Sequence, residues 1–325
     1  MENKSLIKAC QLFIIMMGLG LNLCGAIQVG FYSNRCLNAE SVVKSTVEEH
    51  VRADSTMAAS LLRLHYHDCF VQGCDGSVLI SGPNAERNSG GHSGLRGFDV
   101  IDSAKARLER ICPGVVSCAD IVALAARDAV ALSNGPQYEV PTGRRDGLVS
   151  SASDASNMPD PTDSVQVLQR KFFSKGLSTK DLVVLNAAHT IGTTACFFLE
   201  DRLYNFDPNG NADPSINPEF LTELQQTCPK DGDVNVRVSL DSGSELQFDT
   251  QFLENVREGK GVLQSDSNLY QDFSTRQYID AYFGLLGGIL GPSFASDFAE
   301  SMIKMGQVGV KSGSNGKIRR VCSVL

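Results

Sequence analysis

The sequence predicts a mainly α-helical protein, and three observations support this prediction. Apolar residues recur three and four positions apart in about ten segments, the spacing that places them on one face of a helix. The alternation of apolar and polar residues that is typical of strands is rare. Glycine and proline are scattered along the chain, with no repeat of roughly 20 to 50 residues and no low-complexity linker, which favours a single domain.

The predicted helices follow the helical spacing of the apolar residues. They cover residues 41–51, 57–69, 100–112, 119–132, 165–174, 179–188, 220–228, 250–256, 277–286 and 294–305. Residues that stop helices support two of these ends. Pro113 and Gly114 follow one predicted helix, and Gly135 and Pro136 follow another.

The first 26 residues differ from the rest of the chain. Lys4 and Lys8 precede an apolar run over residues 12–23, and small residues follow it, which is the pattern of a secretory signal peptide. A transmembrane anchor is the alternative, but it needs about 20 predominantly apolar residues, and Asn22 and two glycines interrupt this run. We expect cleavage between about residues 25 and 28, which leaves residues 27–325 as one domain.

Charge and cysteine content narrow the function further. The net charge is −8, and because residues 1–26 carry +1, the mature chain would carry −9. An acidic surface argues against nucleic acid as a partner. Of ten cysteines, Cys10 and Cys24 lie in the predicted signal peptide, so an even set of eight remains. Four disulfides are expected in an oxidising compartment, and the spacing alone leaves 105 pairings open.

The most informative segment lies at the end of the second predicted helix. Arg63 and His67 are four residues apart and share a helix face, whereas Asp68 is turned about 100° away. A neutral imidazole that moves a proton between two oxygens, next to a fixed cation, suits cleavage of a peroxide bond. The alternative is a partly buried helix whose arginine and histidine only satisfy their neighbours.

The residues that follow are hard oxygen donors. Asp68, Asp75 and Ser77 surround the tight turn of residues 73–76, and oxygen ligands of this kind suit Ca²⁺. The spacing does not match the EF-hand pattern, and a solvated acidic turn is the alternative.

Several motifs resemble the class III secretory peroxidases of plants. Residues 63–77 (RLHYHDCFVQGCDGS) are similar to the distal helix and distal calcium loop of that family. Five shorter motifs follow in the family's order, at residues 95–98 (LRGF), 116–120 (VSCAD), 143–147 (GRRDG), 188–192 (AHTIG) and 263–266 (LQSD). The resemblance extends over residues 31–322, and chance agreement of this many ordered motifs is remote.

The resemblance implies the plant haem-peroxidase fold, with one haem b sandwiched between distal and proximal helical halves. His189 would be the axial ligand of the haem iron, on the side opposite Arg63 and His67. Asp266 would accept a hydrogen bond from the other nitrogen of His189 and make the ligand more electron-donating. Without the family resemblance, His189 would more often be a buried histidine whose hydrogen bonds are satisfied within the core, and Asp266 would be an ordinary surface acid.

The resemblance also implies two calcium ions, one on each side of the haem. The distal ligands would be Asp68, the carbonyls of Val71 and Gly73, Asp75, Ser77 and, through water, Glu86. The proximal ligands would be Thr190, Asp241, Ser244, the carbonyl of Gln247, and Asp249. Since Asp68 adjoins His67 and Thr190 adjoins His189, each ion would fix the helix that presents a histidine.

Disulfide pairing and donor binding follow from the same resemblance. The implied pairs are Cys36 with Cys112, Cys69 with Cys74, Cys118 with Cys322, and Cys196 with Cys228. Pro159, in a segment that matches the family's haem-edge loop, would touch aromatic donors.

The chain departs from the family pattern at a few positions. His92 stands where most relatives have an asparagine that accepts the Nδ1 proton of the distal histidine. We hypothesise that a neutral His92 accepts a hydrogen bond from that Nδ1–H, and that the reaction with peroxide weakens in acid as His92 becomes charged. The alternative is that His92 is a histidine of a surface loop. Tyr66 replaces the usual Phe beside the distal histidine, and Tyr138 replaces a Trp, so that the chain has no tryptophan.

The expected function is that of a secreted haem peroxidase, located outside the cell or in the cell wall. It would reduce hydrogen peroxide and oxidise phenolic donors in one-electron steps, as a monomer with no membrane partner. Two alternatives come from other classes: a calcium-dependent binding or wall protein without turnover, and a zinc hydrolase that uses His65, His67 and nearby cysteines. The retained Arg63, His67, His189 and Asp266 argue against the first, and cysteines committed to disulfides argue against the second.

Overall fold

The computed structural model describes residues 27–284 and 291–325. Over these residues the fold is mainly α-helical, as the sequence predicts, and the only sheet is a pair of short antiparallel strands. The predicted signal peptide and the end of the helix predicted over residues 277–286 lie outside the described residues. Within the same ranges, no helix has the length and apolarity needed to cross a lipid bilayer.

The described part of the chain contains twelve α-helices and two strands, together with short 3₁₀ turns. The helices are α1 Ala39–Ala53, α2 Met57–Phe70, α3 Phe98–Ile111, α4 Cys118–Leu132, α5 Val165–Ser174, α6 Thr179–Asn186, α7 Glu200–Tyr204, α8 Pro218–Thr227, α9 Gln251–Arg257, α10 Gln264–Gln271, α11 Phe273–Ala281 and α12 Phe294–Met305. Strands β1 Thr193–Ala195 and β2 Arg237–Ser239 pair in antiparallel register, with Thr194 opposite Val238.

Three helices differ from the prediction: α11 begins earlier than expected, and α7 and α10 were not predicted. The helix expected over residues 277–286 begins earlier, at Phe273, because the Asp272 side chain caps it by accepting from the backbone N–H of Ser274 at 2.8 Å. Helix α10 was not predicted at all. It has few apolar residues, so it lacks the periodic signal, yet Ser265, Asp266 and Ser267 in it are buried.

The first half of the fold is built around α4. Nearly every residue of α4 from Cys118 to Val130 is buried, and α1, α2 and α3 all pack against it. The helix begins at Ser117, whose hydroxyl accepts from the N–H of Asp120 at 3.1 Å. Because α2 packs against α4, most of its residues are buried. The polar residues of α2 therefore lie in a low-dielectric environment.

The second half presents the other functional histidine. Helix α6 contacts α5, α11 and α12, and it starts at a capping box formed by Ser178 and Asp181. After Asn186 the chain continues into the 3₁₀ turn Ala187–Thr190, which carries His189. A smaller apolar cluster lies around the Cys196–Cys228 disulfide, with Leu203 and Phe220 among its members.

Four disulfides join the cysteines that the family resemblance pairs. They are Cys36–Cys112, Cys69–Cys74, Cys118–Cys322 and Cys196–Cys228. The Cys118–Cys322 bond joins the start of α4 to the last residues of the chain.

A buried ion pair connects distant segments of the fold. Nη1 of Arg144 lies 2.8 Å from Oδ1 of Asp120 on α4, and its Nη2 donates to the carbonyl of Gly306, which follows α12. The other oxygen of Asp120 accepts from the hydroxyl of Tyr32 at 2.6 Å. Both charges are almost completely buried and have several partners, as buried charges require.

Candidate active site

Arg63 and His67 lie one turn apart on α2 and contact each other. Nε of Arg63 donates to Nε2 of His67 at 3.1 Å, and its Nη2 donates to the carbonyl of Ser93 at 3.1 Å. The second bond holds the guanidinium against the segment that follows the 3₁₀ turn Gly90–His92. The helical spacing therefore brings the predicted acid-base group and the predicted cation into one environment.

The surroundings of this pair keep the imidazole neutral. Burial, and then the charge of Arg63 and the neighbouring His92, lower the pKa of His67 well below its ordinary value. Arg63 is also largely buried, which lowers its pKa, but a guanidinium remains charged at any ordinary pH. A neutral imidazole next to a fixed cation can take up a proton at Nε2.

His92 is buried beside His67, so the alternative of a surface-loop histidine is wrong. The side chain is 1% exposed, and its ring centre lies 4.8 Å from that of His67, with the ring planes nearly perpendicular. Burial, and then the charge of Arg63, lower the pKa of His92 to about 4. Any acid weakening of the reaction through His92 is therefore expected near pH 4, below the range in which a solvent-exposed histidine becomes charged.

On the other half of the fold, His189 contacts Asp266 directly. Nδ1 of His189 lies 3.0 Å from Oδ1 of Asp266, and this carboxylate is fully buried at the first turn of α10. The same oxygen accepts from Nδ2 of Asn186 at 2.7 Å, and the other oxygen accepts from the N–H of Leu263 at 3.2 Å. The carboxylate is thus held by three donors, and it orients the imidazole.

This arrangement fits an axial ligand of a haem iron. His189 is about one third exposed, and its Nε2 makes no hydrogen bond to any residue that the structure describes. An imidazole that gives one N–H to a buried carboxylate presents the lone pair of its other nitrogen to a metal. Phe252 lies edge-on to the ring, with centroids 5.9 Å apart.

The predicted distal calcium residues form a buried acidic cluster. Asp68, Asp75, Ser77 and Glu86 are all 0 or 1% exposed. The hydroxyl of Ser77 donates to Glu86 at 3.2 Å, and the N–H of Gly76 donates to Asp68 at 3.0 Å. Burial raises the pKa of Glu86 to about 8, and burial together with the charge of Asp75 raises that of Asp68 well above its ordinary value.

Two oxygens of this cluster lack protein partners, and two lysines contact other oxygens of the predicted distal set. Oδ1 of Asp68 and Oε1 of Glu86 are buried without a hydrogen bond to any described residue. Lys311 contacts Asp75 at 2.7 Å, and Lys175 donates to the carbonyl of Val71 at 3.0 Å. Buried carboxylate oxygens of this kind need a cation or ordered water, so the donor set fits a hard metal ion.

Gly73, whose carbonyl is one of the predicted distal ligands, lies in a turn that suits only glycine. Its φ of +101° suits glycine, and a Cβ there would overlap the backbone of Gly309. Over the ranges that the structure covers, no group of three or more His, Cys, Asp or Glu side chains forms a metal cage. Calcium does not require one, because carbonyls, hydroxyls and water complete its ligands.

The predicted proximal calcium residues meet in one place. The hydroxyl of Thr190 lies 2.9 Å from Asp241, 3.3 Å from the carbonyl of Gln247 and 3.4 Å from Asp249. The hydroxyl of Ser244 donates to both carboxylates at 3.2 Å. All five predicted residues are therefore neighbours, and burial raises the pKa of Asp241 to about 6.

The segment that contains Pro159 lies next to the distal pair. Met158, which precedes Pro159, is buried, and its Sδ lies 3.0 Å from Nε2 of His92. Lys171 donates to the carbonyl of Met158 at 2.8 Å and to Asp163 at 2.7 Å, which anchors the segment to α5. Pro159 itself is partly exposed, as a donor contact requires.

His65 lies away from the distal pair. Its ring contacts the sulfur of Cys69 at 3.6 Å, and it lines a cavity of about 10 Å³ together with Tyr138 and Arg144. Burial, and then the charge of Arg144, lower the pKa of His65 to about 3. Cys69 is in a disulfide, so the histidines and cysteines of this segment do not form a zinc site.

Sequence reasoning missed two supporting side chains. Asn186 donates to Asp266, and Asn255 donates to Asp241 at 2.6 Å and to the carbonyl of Ser242 at 3.1 Å. The position of Asn186, one helical turn before His189, is a signal that could have identified it. Nothing in the local sequence distinguishes Asn255 from a surface residue.

The chain is similar to several known proteins. The family model described as "Peroxidase" matches residues 43–284. Peroxidase 43 of Arabidopsis thaliana is 56% identical over 313 residues, which cover 96% of both chains. Peroxidase 25 of the same plant is 53% identical over 319 residues, or 97% of each chain. Peroxidase N1 of Nicotiana tabacum is 50% identical over 318 residues, which cover 97% of this chain and 96% of the relative.

Proposed function

The chain belongs to the peroxidase family, in its plant class III branch, and from this premise we propose that it oxidises phenolic compounds with hydrogen peroxide. Membership makes the protein a haem peroxidase, an oxidoreductase that reduces hydrogen peroxide at the expense of a reducing substrate. The assignment of roles rests on one observation: two histidines each contact a different charged partner, His67 with Arg63 and His189 with Asp266.

His189 would hold one haem b, with Asp266 as the acceptor for its Nδ1–H. The haem, when bound, supplies an iron that binds peroxide and stores the oxidising equivalents that later pass to the donor. Asp266 sets the orientation and the electron-donating strength of the imidazole, and Asn186 and Leu263 hold the carboxylate in place.

His67 and Arg63 would divide the work on the peroxide itself. Nε2 of His67 accepts a proton from one peroxide oxygen and returns it to the other, which leaves as water. The guanidinium of Arg63 stabilises the negative charge that develops on the leaving oxygen. Overall, one hydrogen peroxide and two donor molecules, each giving one electron and one proton, yield two waters and two donor radicals. General acid-base transfer of this kind is worth about 10² to 10⁴ in rate.

Two calcium ions would act as positional cofactors. The partnerless oxygens of Asp68 and Glu86 support the distal ion, and the meeting of Thr190, Asp241 and Asp249 supports the proximal one. Each set adjoins a functional histidine in sequence, so loss of an ion would loosen the helix that presents it.

The reducing substrate would be an aromatic molecule that binds near the partly exposed Pro159. Lignin and suberin precursors and other cell-wall phenolics fit this role. By consuming peroxide with such donors, the protein would also take part in the response to oxidative stress. The signal-like sequence of residues 1–26 and the four disulfides support export of the protein to the cell exterior or wall, where it would act as a monomer.

A spectrum and an assay of the oxidised, haem- and calcium-loaded protein test this proposal. We expect a haem absorption band and peroxide-dependent oxidation of guaiacol, with coniferyl alcohol and tyrosine as further donors. A protein that binds haem and consumes peroxide with iodide or ferrocyanide, but with none of the phenols, would limit the proposal to a peroxidase of other donors. Failure to bind haem would remove the proposed role of His189.

A further inference from the structure

Four side chains lie in a continuous row from α2 to the segment before Pro159. Nε of Arg63 contacts Nε2 of His67 at 3.1 Å, the rings of His67 and His92 lie 4.8 Å apart, and Nε2 of His92 contacts Sδ of Met158 at 3.0 Å. His67, His92 and Met158 are each at most 7% exposed, so water does not compete for these contacts.

The contact with Arg63 fixes the tautomer of His67. A guanidinium can only donate hydrogen bonds, so Nε2 of His67 is the acceptor, and the neutral ring carries its proton on Nδ1. That Nδ1 is buried and has no hydrogen-bond partner in the described parts of the chain. His67 therefore has a buried N–H donor with nothing to receive it, which is costly unless an acceptor lies nearby.

The contact with Met158 fixes the opposite tautomer of His92. A thioether sulfur can only accept, so the proton of neutral His92 lies on Nε2, and its Nδ1 carries a lone pair. This nitrogen is also buried without a partner in the region that the structure covers. The two rings thus hold a donor and an acceptor that are both unsatisfied, and their centres lie 4.8 Å apart, a separation compatible with a hydrogen bond between the rings.

We propose that Met158 is a positioning residue for the distal pair: its sulfur holds His92 in the Nε2–H form, which leaves Nδ1 of His92 to accept a hydrogen bond from Nδ1–H of His67, the bond already hypothesised from the sequence. This rests on the proposed function, in which Nε2 of His67 takes the peroxide proton. The bond orients the ring of His67, and it strengthens when His67 becomes positively charged, since hydrogen bonds from charged donors are stronger.

A competing arrangement makes the proposal testable. The backbone carbonyl of Glu86 also lies near the imidazole of His92 and could accept a proton from its Nδ1. In that tautomer His92 has no acceptor to offer His67. The sulfur of Met158 is what disfavours it, because Nε2 would then direct a lone pair at the sulfur.

Nitrogen NMR on the ring atoms distinguishes the two tautomers. The full chain, loaded with haem and calcium and held in the diamagnetic ferrous carbonyl form, is labelled with ¹⁵N-histidine. We expect the proton of His92 on Nε2 and that of His67 on Nδ1. Met158→Leu removes the acceptor and should transfer part of the His92 proton to Nδ1, whereas the equally buried control Met57→Leu should not. A His92 proton on Nδ1 in the parent protein would overturn the proposal.

Stopped-flow measurement of the reaction with hydrogen peroxide gives a second readout. His92→Leu should slow it about ten- to a hundredfold, the value of a hydrogen bond to a charged group. His92→Asn should recover most of the rate, because an amide carbonyl also accepts, and Met158→Leu should slow it about two- to tenfold. Equal rates for the Leu and Asn variants of His92 would contradict a positioning role.

The outcome also separates this inference from the proposed function. A parent protein that lacks a haem band or does not react with peroxide would refute the proposed function. A parent that does both, while the variants of His92 and Met158 react at the parental rate, would refute only the positioning role.

Discussion

Single buried side chains carry most of the chemistry that distinguishes this protein. His65 and His67 lie on α2, His92 lies in the 3₁₀ turn Gly90–His92, and burial lowers the pKa of each. Their partners differ: an arginine and a second histidine for His67, a disulfide sulfur for His65, and a thioether for His92. Three residues of one type thus acquire different properties from their contacts.

We predict that His65 makes the protein sensitive to acid. In the unfolded chain His65 takes up a proton as the pH falls through about 6.5, whereas the folded protein resists protonation until about pH 3. This difference costs about 2 kcal/mol of stability between pH 6.5 and 4.5. Urea unfolding of His65→Leu at both pH values should show a correspondingly smaller loss. An identical loss in the parent and the variant would mean that His65 is solvated.

We predict that Asp266→Asn weakens the proximal imidazole without displacing it. The amide can still accept from Nδ1 of His189, but it lacks the negative charge that makes the imidazole a stronger ligand. Changes to such partners typically cost 10- to 100-fold in metal affinity or activity. Haem titration and peroxide turnover measure both effects. Parental values of both would show that the carboxylate only fills space.

Some residue-scale features could be read from the sequence and others could not. The helical spacing of Arg63 and His67 was sufficient to place them together, because both lie on one element. The contact of His92 with Met158 joins residues 66 positions apart, and no local pattern reports it. Likewise, Asp266 is an ordinary acid in the sequence, and only its burial against His189 marks it.

At the scale of elements, short irregular turns rather than long helices hold the proximal site. His189 and Thr190 lie in the 3₁₀ turn that ends α6, and Asp266 lies on α10. The periodic pattern predicts α6 but runs it on to residue 188, and it misses α10, whose buried residues are mostly polar. Hydrophobic periodicity fails where a helix is buried for its hydrogen bonds rather than for its apolar surface.

We predict that Thr190→Val removes the proximal calcium ion. The change keeps the shape of the side chain but deletes the hydroxyl that contacts Asp241 and the carbonyl of Gln247. Metal analysis of the purified protein should fall from two calcium ions to about one per chain. Haem affinity should also fall, since Thr190 adjoins His189.

A matched control is available on α1. Thr46 is fully buried, and its hydroxyl donates only to the carbonyl of Val42. Thr46→Val should therefore retain the parental calcium content, with a change in stability of about 1 kcal/mol. An unchanged calcium content in Thr190→Val would argue against the proximal site.

At the scale of the whole molecule, two helical halves are joined by covalent and ionic connections. The Arg144–Asp120 pair and the Cys118–Cys322 bond both attach α4 to the C-terminal region. The mainly α fold was predictable from periodicity, and the disulfide pairing was implied only by resemblance to the family. Spacing could not have given it, since the pairs join residues as far as 204 positions apart.

We predict that the disulfides differ in their contribution to stability according to the loop that each closes. Cys118–Cys322 closes a separation of 204 residues and Cys196–Cys228 one of 32. In the chain-entropy model these contribute roughly 5 and 4 kcal/mol. Denaturant unfolding of the two double Cys→Ala variants measures the difference. A larger loss from the shorter loop would show that local packing, rather than chain entropy, dominates.

Haem binding by His67→Ala and His189→Ala, followed by mixing with hydrogen peroxide, tests the division of labour between the two histidines most directly. We predict that His67→Ala keeps its haem but reacts with peroxide at least about 10²-fold more slowly. His189→Ala should lose most of its affinity for haem. If His67→Ala reacts at the parental rate, or if His189→Ala holds haem as tightly as the parent, the roles assigned to the two residues are wrong.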